Sequence, residues 1–322
     1  MCRGVSNGTD DVPRHWEIAS RVNSFRLSGL GVADAVRRMS AVAGLSALEL
    51  NFPQHLVELD HGQLDALLRE TGLPLTALNL RFDGARFRGG AFSSPDRDVR
   101  REAVGIACDA VDLAARVGAG HVVLWMGDDG WDYPFQVNYA NIWILEIEAF
   151  RAVADRNSSV RVSVEYKPSD PRRFSLVRSM GDALLAASEV DRPNFGITLD
   201  VCHSYMAGEH PPAAAAAALQ RGKLFGVHLN DGHGAADDGL MVAAIHERDT
   251  LELLHVLREG LYDGTLYFDT FPVREDPTAE LAGNIAELQR LLSVLDRIDR
   301  PALKAAQDRQ DAIAVSRQLT SA

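Results

Sequence analysis

From about residue 15 to residue 298 the chain alternates between two apolar patterns. Short apolar runs read as strands at residues 15–20, 47–52, 75–82, 121–125, 160–167, 195–201, 224–230 and 265–271. Between them lie stretches in which apolar residues return every three or four positions, the spacing of an amphipathic helix, at 32–43, 63–70, 97–117, 142–156 and 251–259. Strands alternating with helices imply parallel βαβ units. Eight such units closing on themselves predict a single-domain (β/α)8 (TIM) barrel over residues 15–298. A flexible N-terminus (1–14) precedes it, and a tail (299–322) of helix-forming composition follows. An open doubly wound sheet is the alternative, but it calls for a glycine-rich turn after an early strand, and none is present. The six alanines at 213–218 read as part of a helix.

The ends of the strands carry the chemistry. Glu165 closes the run in VRVSVEYKP, and Lys167, two residues on, shares its face because strand side chains alternate. Asp200 closes FGITLD, His228 lies in FGVHLND and Asp269 in LYFDTFP. Four potential ligands thus come one each from the fifth to eighth strands, at the rim where barrels of this architecture place their active sites. A single acid at a strand end is ordinarily a cap or an ion-pair partner. Four inward charges on successive strands are costly to bury unless something compensates them. A divalent cation held by three carboxylates and an imidazole would do so. Oxygen-rich coordination suits Mg2+ or Mn2+, and the imidazole admits Mn2+, Co2+ and Zn2+; Mn2+ is the leading expectation. A second group follows, with His203 three residues past Asp200 and Asp231, Asp237 and Asp238 crowding the loop after the seventh strand. It reads either as a looser second metal site bridged by Asp200 or as a hydrated acidic loop.

Composition narrows the choice of partners. A net charge of −12 disfavours a phosphate backbone, and the arginines at 97, 100 and 101 are interleaved with Asp96, Asp98 and Glu102. No apolar run is long enough to span a bilayer, and the first residues lack the apolar core of a secretory signal. The three cysteines are widely spaced and form no CxxC pair. These features predict a cytoplasmic protein that acts on a small molecule, without nucleic acid or membrane as partner.

Several segments then invite comparison with a known family. GGAFSSPDRDVRREAVGIACDAVDLAARVGAGHVVLWMGDDG, EYKPSDPRRF, DVCHSYMAGEHP, LFGVHLNDGHG and YFDTFPVREDP resemble segments of the xylose isomerases, in the same order, over roughly residues 74 to 277. The resemblance implies that Glu165, Asp200, His228 and Asp269 match the first metal site and that His203 and Asp237 match parts of a second. It also implies that Lys167 polarises the substrate carbonyl and that Trp125 walls the site. The sequence departs from the xylose isomerases in places. Their ring-opening histidine aligns best with Phe52, His55 lies three positions on, close to where they have a supporting aspartate, and their other second-site aspartate aligns with Gly239. The Glu, Asp, His, Asp ligand set is similar to that of L-rhamnose isomerase and close to the Glu, Asp, His, Glu set of D-tagatose 3-epimerase.

The expected function is therefore aldose–ketose isomerisation of a free sugar by metal-assisted hydride shift. Glu165, Lys167, His203 and Asp269 are the candidate catalytic groups, and Trp125, Phe82, His55 and Trp131 the candidate substrate contacts. A homo-oligomer, dimer or tetramer, is expected. Sugar epimerisation or glycoside cleavage by proton transfer is the nearest alternative. A barrel endonuclease or a catalytically silent sugar-binding barrel is more distant.

Overall fold

A computed structural model describes residues 16–27 and 29–321. The expected flexible N-terminus and His15, the first residue of the first predicted strand, lie outside the described residues. In chain order the strands are β1 (Ile18–Arg21), β2 (Ala47–Phe52), β3 (Leu75–Leu80), β4 (His121–Trp125), β5 (Gly130–Trp131), β6 (Arg161–Glu165), β7 (Phe174–Ser175), β8 (Phe195–Asp200), β9 (Leu224–Leu229) and β10 (Leu266–Phe268). Eight of them close into a parallel barrel in the order β1-β10-β9-β8-β6-β4-β3-β2. Each barrel strand is followed by a helix that returns the chain, at Val32–Ser40, His61–Thr71, Arg97–Val117, Tyr139–Ala154, Met180–Val190, Pro211–Leu219, Glu247–Glu259 and Pro277–Arg297. The predicted (β/α)8 architecture is the observed one. β5 and β7 pair antiparallel outside the barrel and tie the loops after β4 and β6 together.

Element boundaries differ from the sequence expectation where local chemistry sets them. The fourth return helix starts at Tyr139 because Asn138 caps it, its side chain accepting from the Asn141 amide at 3.1 Å. The last barrel strand is confined to Leu266–Phe268, so Asp269 lies just past it, although its amide still donates to the Leu229 carbonyl at 3.1 Å. Lys167 likewise stands two residues beyond the end of β6. The tail is helical at Arg300–Asp308 and Ala312–Ser321, and buried Leu303 docks it on the barrel's own core. No described helix is long and apolar enough to cross a membrane.

The core lies between strands and helices. Phe150 of one return helix packs at 5.1 Å on Phe195 of β8 and at 5.9 Å on Phe92 (ring centroids), and each ring contributes about 1.5–3 kcal/mol by leaving water. Inside the barrel, alternation selects every second residue of each strand. Its lower part is a small cluster of Ala19, Ala47, Ala77, Val123 and Tyr267. Beside it runs a polar chain in which His121 Nε2 meets Ser163 Oγ at 2.7 Å and Ser163 Oγ meets Thr198 Oγ1 at 2.7 Å. Gly226 is the β9 residue facing this chain. A Cβ there would stand 2.8 Å from Thr198 Oγ1 and 3.0 Å from His121 Cε1, so the chain requires a glycine. Two residues further along each strand the interior changes character, to Arg21, Glu49, Asn79, Glu165, Asp200, His228 and Asp269.

Candidate metal centre

Strand register brings this upper group together. Asp200 and His228 are direct neighbours across β8 and β9, and Arg21 and Glu49 across β1 and β2. Ser20 pairs with Phe268, which sets Arg21 beside Asp269. Glu165, Asp200, His228 and Asp269, all buried, each offer a ligand atom within 4.8 Å of every other. His228 Nδ1 is the hub: it stands 3.5 Å from Glu165 Oε2, 3.6 Å from Asp269 Oδ2 and 3.9 Å from Asp200 Oδ2.

The remaining atoms of these ligands are held by neighbours. His228 Nε2 lies 3.2 Å from Glu49 Oε2. A proton on Nε2, donated to Glu49, leaves the Nδ1 lone pair facing the carboxylates, the arrangement that fixes a metal-binding tautomer. Asn79 Nδ2 donates to Glu165 Oε2 at 3.0 Å, and Asn230 Nδ2 to Asp200 Oδ2 at 3.0 Å. Asp200 Oδ1 caps the short helix Val201–Met206 by accepting from the His203 amide at 2.9 Å. Arg21 donates to Asp269 Oδ2 and pairs with Glu49 Oε1 at 3.0 Å.

Electrostatics and unmet hydrogen bonds both ask for a cation. His228 Nδ1 and Asp269 Oδ1 are buried without a hydrogen-bond partner. Around them four carboxylates face one guanidinium. Burial pushes Asp200 up to about 7 and raises Asp269 against the pull of Arg21 and His228. Burial also opposes the charge on Glu165, yet His228, His203 and Arg21 hold it well below the usual range. His228 is driven the other way: burial disfavours its cation, but Glu165 and Glu49 outweigh burial and hold its pKa well above the ordinary value. A proton on His228 partly offsets the surplus of negative charge. A divalent cation offsets more of it and takes up the orphaned atoms, so these residues fit one.

A second group, Asp200, His203 and Asp237, also offers three ligand atoms. Asp237 Oδ2 is shared by Lys167 Nζ at 3.0 Å and His203 Nε2 at 3.2 Å. Burial lowers the His203 pKa, but Asp200 and Asp237 carry it up to about 9. Gly239 adds no donor: it has a φ of +56°, and a Cβ there would meet the Phe271 ring at 2.2–2.7 Å. Asp238 turns away and accepts from the His233 amide at 2.6 Å, and Asp231 accepts from the amides of Ile245 and His246.

Lys167 Nζ lies 5.5 Å from the centroid of Trp125, and both border a small cavity with Glu165, Met126 and Val177. The other three candidate substrate contacts have packing partners of their own. Phe82 is buried against Phe87 and Phe92 at 5.2 and 5.5 Å. Trp131, in β5, stacks on Phe174 at 5.6 Å and meets Tyr139 at 5.0 Å. His55 Nδ1 accepts from the Asn51 amide at 3.0 Å, and burial, reinforced by Arg26 and Arg21, pushes its pKa down to about 3.

With this geometry in place, comparison with known proteins is informative. A family described as xylose isomerase-like TIM barrel matches residues 38–304. The chain belongs to that family. Xylose isomerase from Thermus thermophilus is 33% identical over 217 residues, covering 65% of this chain and 56% of that protein, so the match spans little more than half the relative's length. Among solved structures, an L-ribulose 3-epimerase superposes with a TM-score of 0.72 at 19% identity, covering 88% of this chain and 96% of its own. A protein titled AP endonuclease, family 2, from Brucella melitensis superposes at 0.68 with 18% identity, covering 84% and 98%. At such identities the structural likeness establishes the fold alone.

Three partners of the ligands escaped the sequence reading: Arg21, Glu49 and Asn79. The signal for Glu49 was present, since a charge inside the apolar run ALELNF has the same interior parity as Glu165 in VRVSVE.

Proposed function

We propose that the protein is a divalent-metal-dependent sugar isomerase that interconverts an aldose and a ketose by hydride shift. The observation that carries this reading is the convergence of His228 Nδ1 with Glu165, Asp200 and Asp269 at a barrel rim, beside a buried lysine. A divalent cation bound there would supply electrophilic stabilisation of negative charge developing on adjacent sugar oxygens. Mn2+ suits the mixed carboxylate and imidazole donors.

The chain's own residues complete the chemistry. The Lys167 ammonium, held at 3.0 Å by Asp237 and 3.3 Å by Asp170, donates to the sugar carbonyl oxygen and polarises it. In the shift, hydrogen leaves the hydroxyl-bearing carbon with its electron pair and arrives on the neighbouring carbonyl carbon. The first carbon becomes the new carbonyl as its hydroxyl proton departs, and the old carbonyl oxygen takes up a proton. His203, between Asp237 at 3.2 Å and Glu165 at 3.4 Å, is placed to carry those oxygen-bound protons. Trp125, with Arg81 stacked 4.6 Å from its centroid, walls the carbonyl from water. Epimerisation by proton transfer is the second reading.

The test is a panel of aldoses and ketoses offered to protein stripped with EDTA and then resupplied with Mn2+, Co2+ or Mg2+. Ketose formation from an aldose that depends on the added metal supports the proposal. Full turnover by protein shown to be metal-free would remove it.

A further inference from the structure

Arg21 is the last residue of β1 and only 3% exposed. Its guanidinium divides among three partners: Nε pairs with Glu49 Oε1 at 3.0 Å, Nη2 donates to Asn51 Oδ1 at 2.9 Å, and Nη1 donates to Asp269 Oδ2. Glu49 passes the connection to His228 Nε2 at 3.2 Å. One arginine therefore grips two of the four donors, Asp269 directly and His228 through Glu49. Desolvating a guanidinium costs several kcal/mol, and a barrel interior can be filled by apolar side chains without that cost. The position makes sense through what Arg21 does to its partners.

We propose that Arg21 is a positioning residue that sets the coordination of this centre; the proposal rests on the metal-dependent reading above. Its planar fork holds Asp269 through Oδ2, the oxygen that stands 3.6 Å from His228 Nδ1, and holds Glu49, which in turn holds the His228 ring by Nε2. Two donors from different strands are thereby fixed relative to one another. A compact ammonium at the same place can serve Glu49 or Asp269 but not both.

The experiment compares wild type, Arg21→Met and Arg21→Lys in two measurements: Mn2+ binding by calorimetry, and thermal unfolding of the metal-free protein in EDTA. Loss of a partner that orients metal ligands costs about 10–100-fold in affinity. Arg21→Met is expected to bind Mn2+ that much more weakly and Arg21→Lys several-fold more weakly. The melting temperature of metal-free Arg21→Lys should stay close to that of wild type, so that its loss of affinity is one of coordination and not of folding. Should Arg21→Met fail to fold, Arg21→Lys carries both measurements. Folded variants that bind Mn2+ like wild type overturn the positioning role. Wild-type protein that binds no Mn2+ overturns both the positioning role and the metal-dependent reading.

Discussion

Two buried histidines face the inside of the same barrel, and their surroundings have opposite consequences. His121, at the start of β4, has its Nε2 on Ser163 and through it reaches Thr198, a short chain of neutral groups. Burial pushes its pKa down to about 3, so it is neutral across the physiological range. His228, in β9, stands among Glu49, Glu165, Asp200 and Asp269 with Nδ1 without a hydrogen-bond partner, and Glu165 and Glu49 reverse the effect of burial. The lower layer of the interior is self-satisfied. The upper layer carries surplus negative charge and orphaned atoms. Burial alone therefore does not distinguish a structural histidine from a ligand; the count of unmet donors and uncompensated charges around it does.

The sharpest break of this comparison is to remove each ring in turn. His228→Ala is expected to abolish stoichiometric Mn2+ binding and, under the proposed function, to lower turnover by about 1000-fold. That factor corresponds to the several kcal/mol that a metal ion contributes to stabilising developing charge. His121→Ala should leave metal content at the wild-type level. Metal analysis of the two purified variants decides it, and equal metal content in both would mean that the upper layer is not the metal site.

A smaller effect is expected one shell out. Glu49→Gln keeps the shape but removes the charge that holds His228 by Nε2, and the amide can now present a donor to that nitrogen. Mn2+ affinity should fall by about 10–100-fold with the melting temperature of the metal-free protein little lowered. Calorimetric titration of wild type and variant side by side measures it. Unchanged affinity would show that Glu49 serves the barrel and not the imidazole.

The same two layers explain what was legible in the sequence. Strands such as β4 and β8 announce themselves because parallel strands buried on both faces read as nearly unbroken apolar runs. Glu165, Asp200, His228 and Asp269 stand out for the same reason, as charges placed against those runs. Arg21 did not, because the first run was read as ending at Ser20, one residue short of it. Its link to Asp269 spans the closure of the barrel between β1 and β10, and register across that seam is written in no local pattern. β5 and β7, two residues each, are too short to leave a periodic signal. Trp131, Phe82 and His55 carry aromatic and imidazole side chains near strand ends, where either a site or a core suits them. The structure adds their packing partners: Trp131 stacks in the β5–β7 tie, Phe82 lies in an aromatic cluster and His55 accepts from a backbone amide.

The smallest effect concerns His121 and acid stability. A histidine in an unfolded chain titrates near 6.5, whereas His121 in the folded barrel is pushed down to about 3. Above pH 6.5 both states are neutral there, and the full contribution of the buried ring is present. As pH falls below 6.5 the unfolded chain takes up a proton that the folded barrel refuses, so stability is lost at up to about 1.4 kcal/mol per pH unit until the folded ring is protonated too, near pH 3. His121→Asn removes this linkage and nothing else that titrates. At pH 7 the variant should be less stable by about 1–3 kcal/mol, because Ser163 loses a well-placed partner in a buried chain. The gap should narrow as pH is lowered toward 4.5, because wild type loses stability through this ring and the variant does not. Urea unfolding of both proteins in EDTA at a series of pH values measures the gap, with the carboxylates of the upper layer titrating alike in each. A gap that stays constant would mean that His121 is not held neutral, and the contrast between the two histidines would then rest on His228 alone.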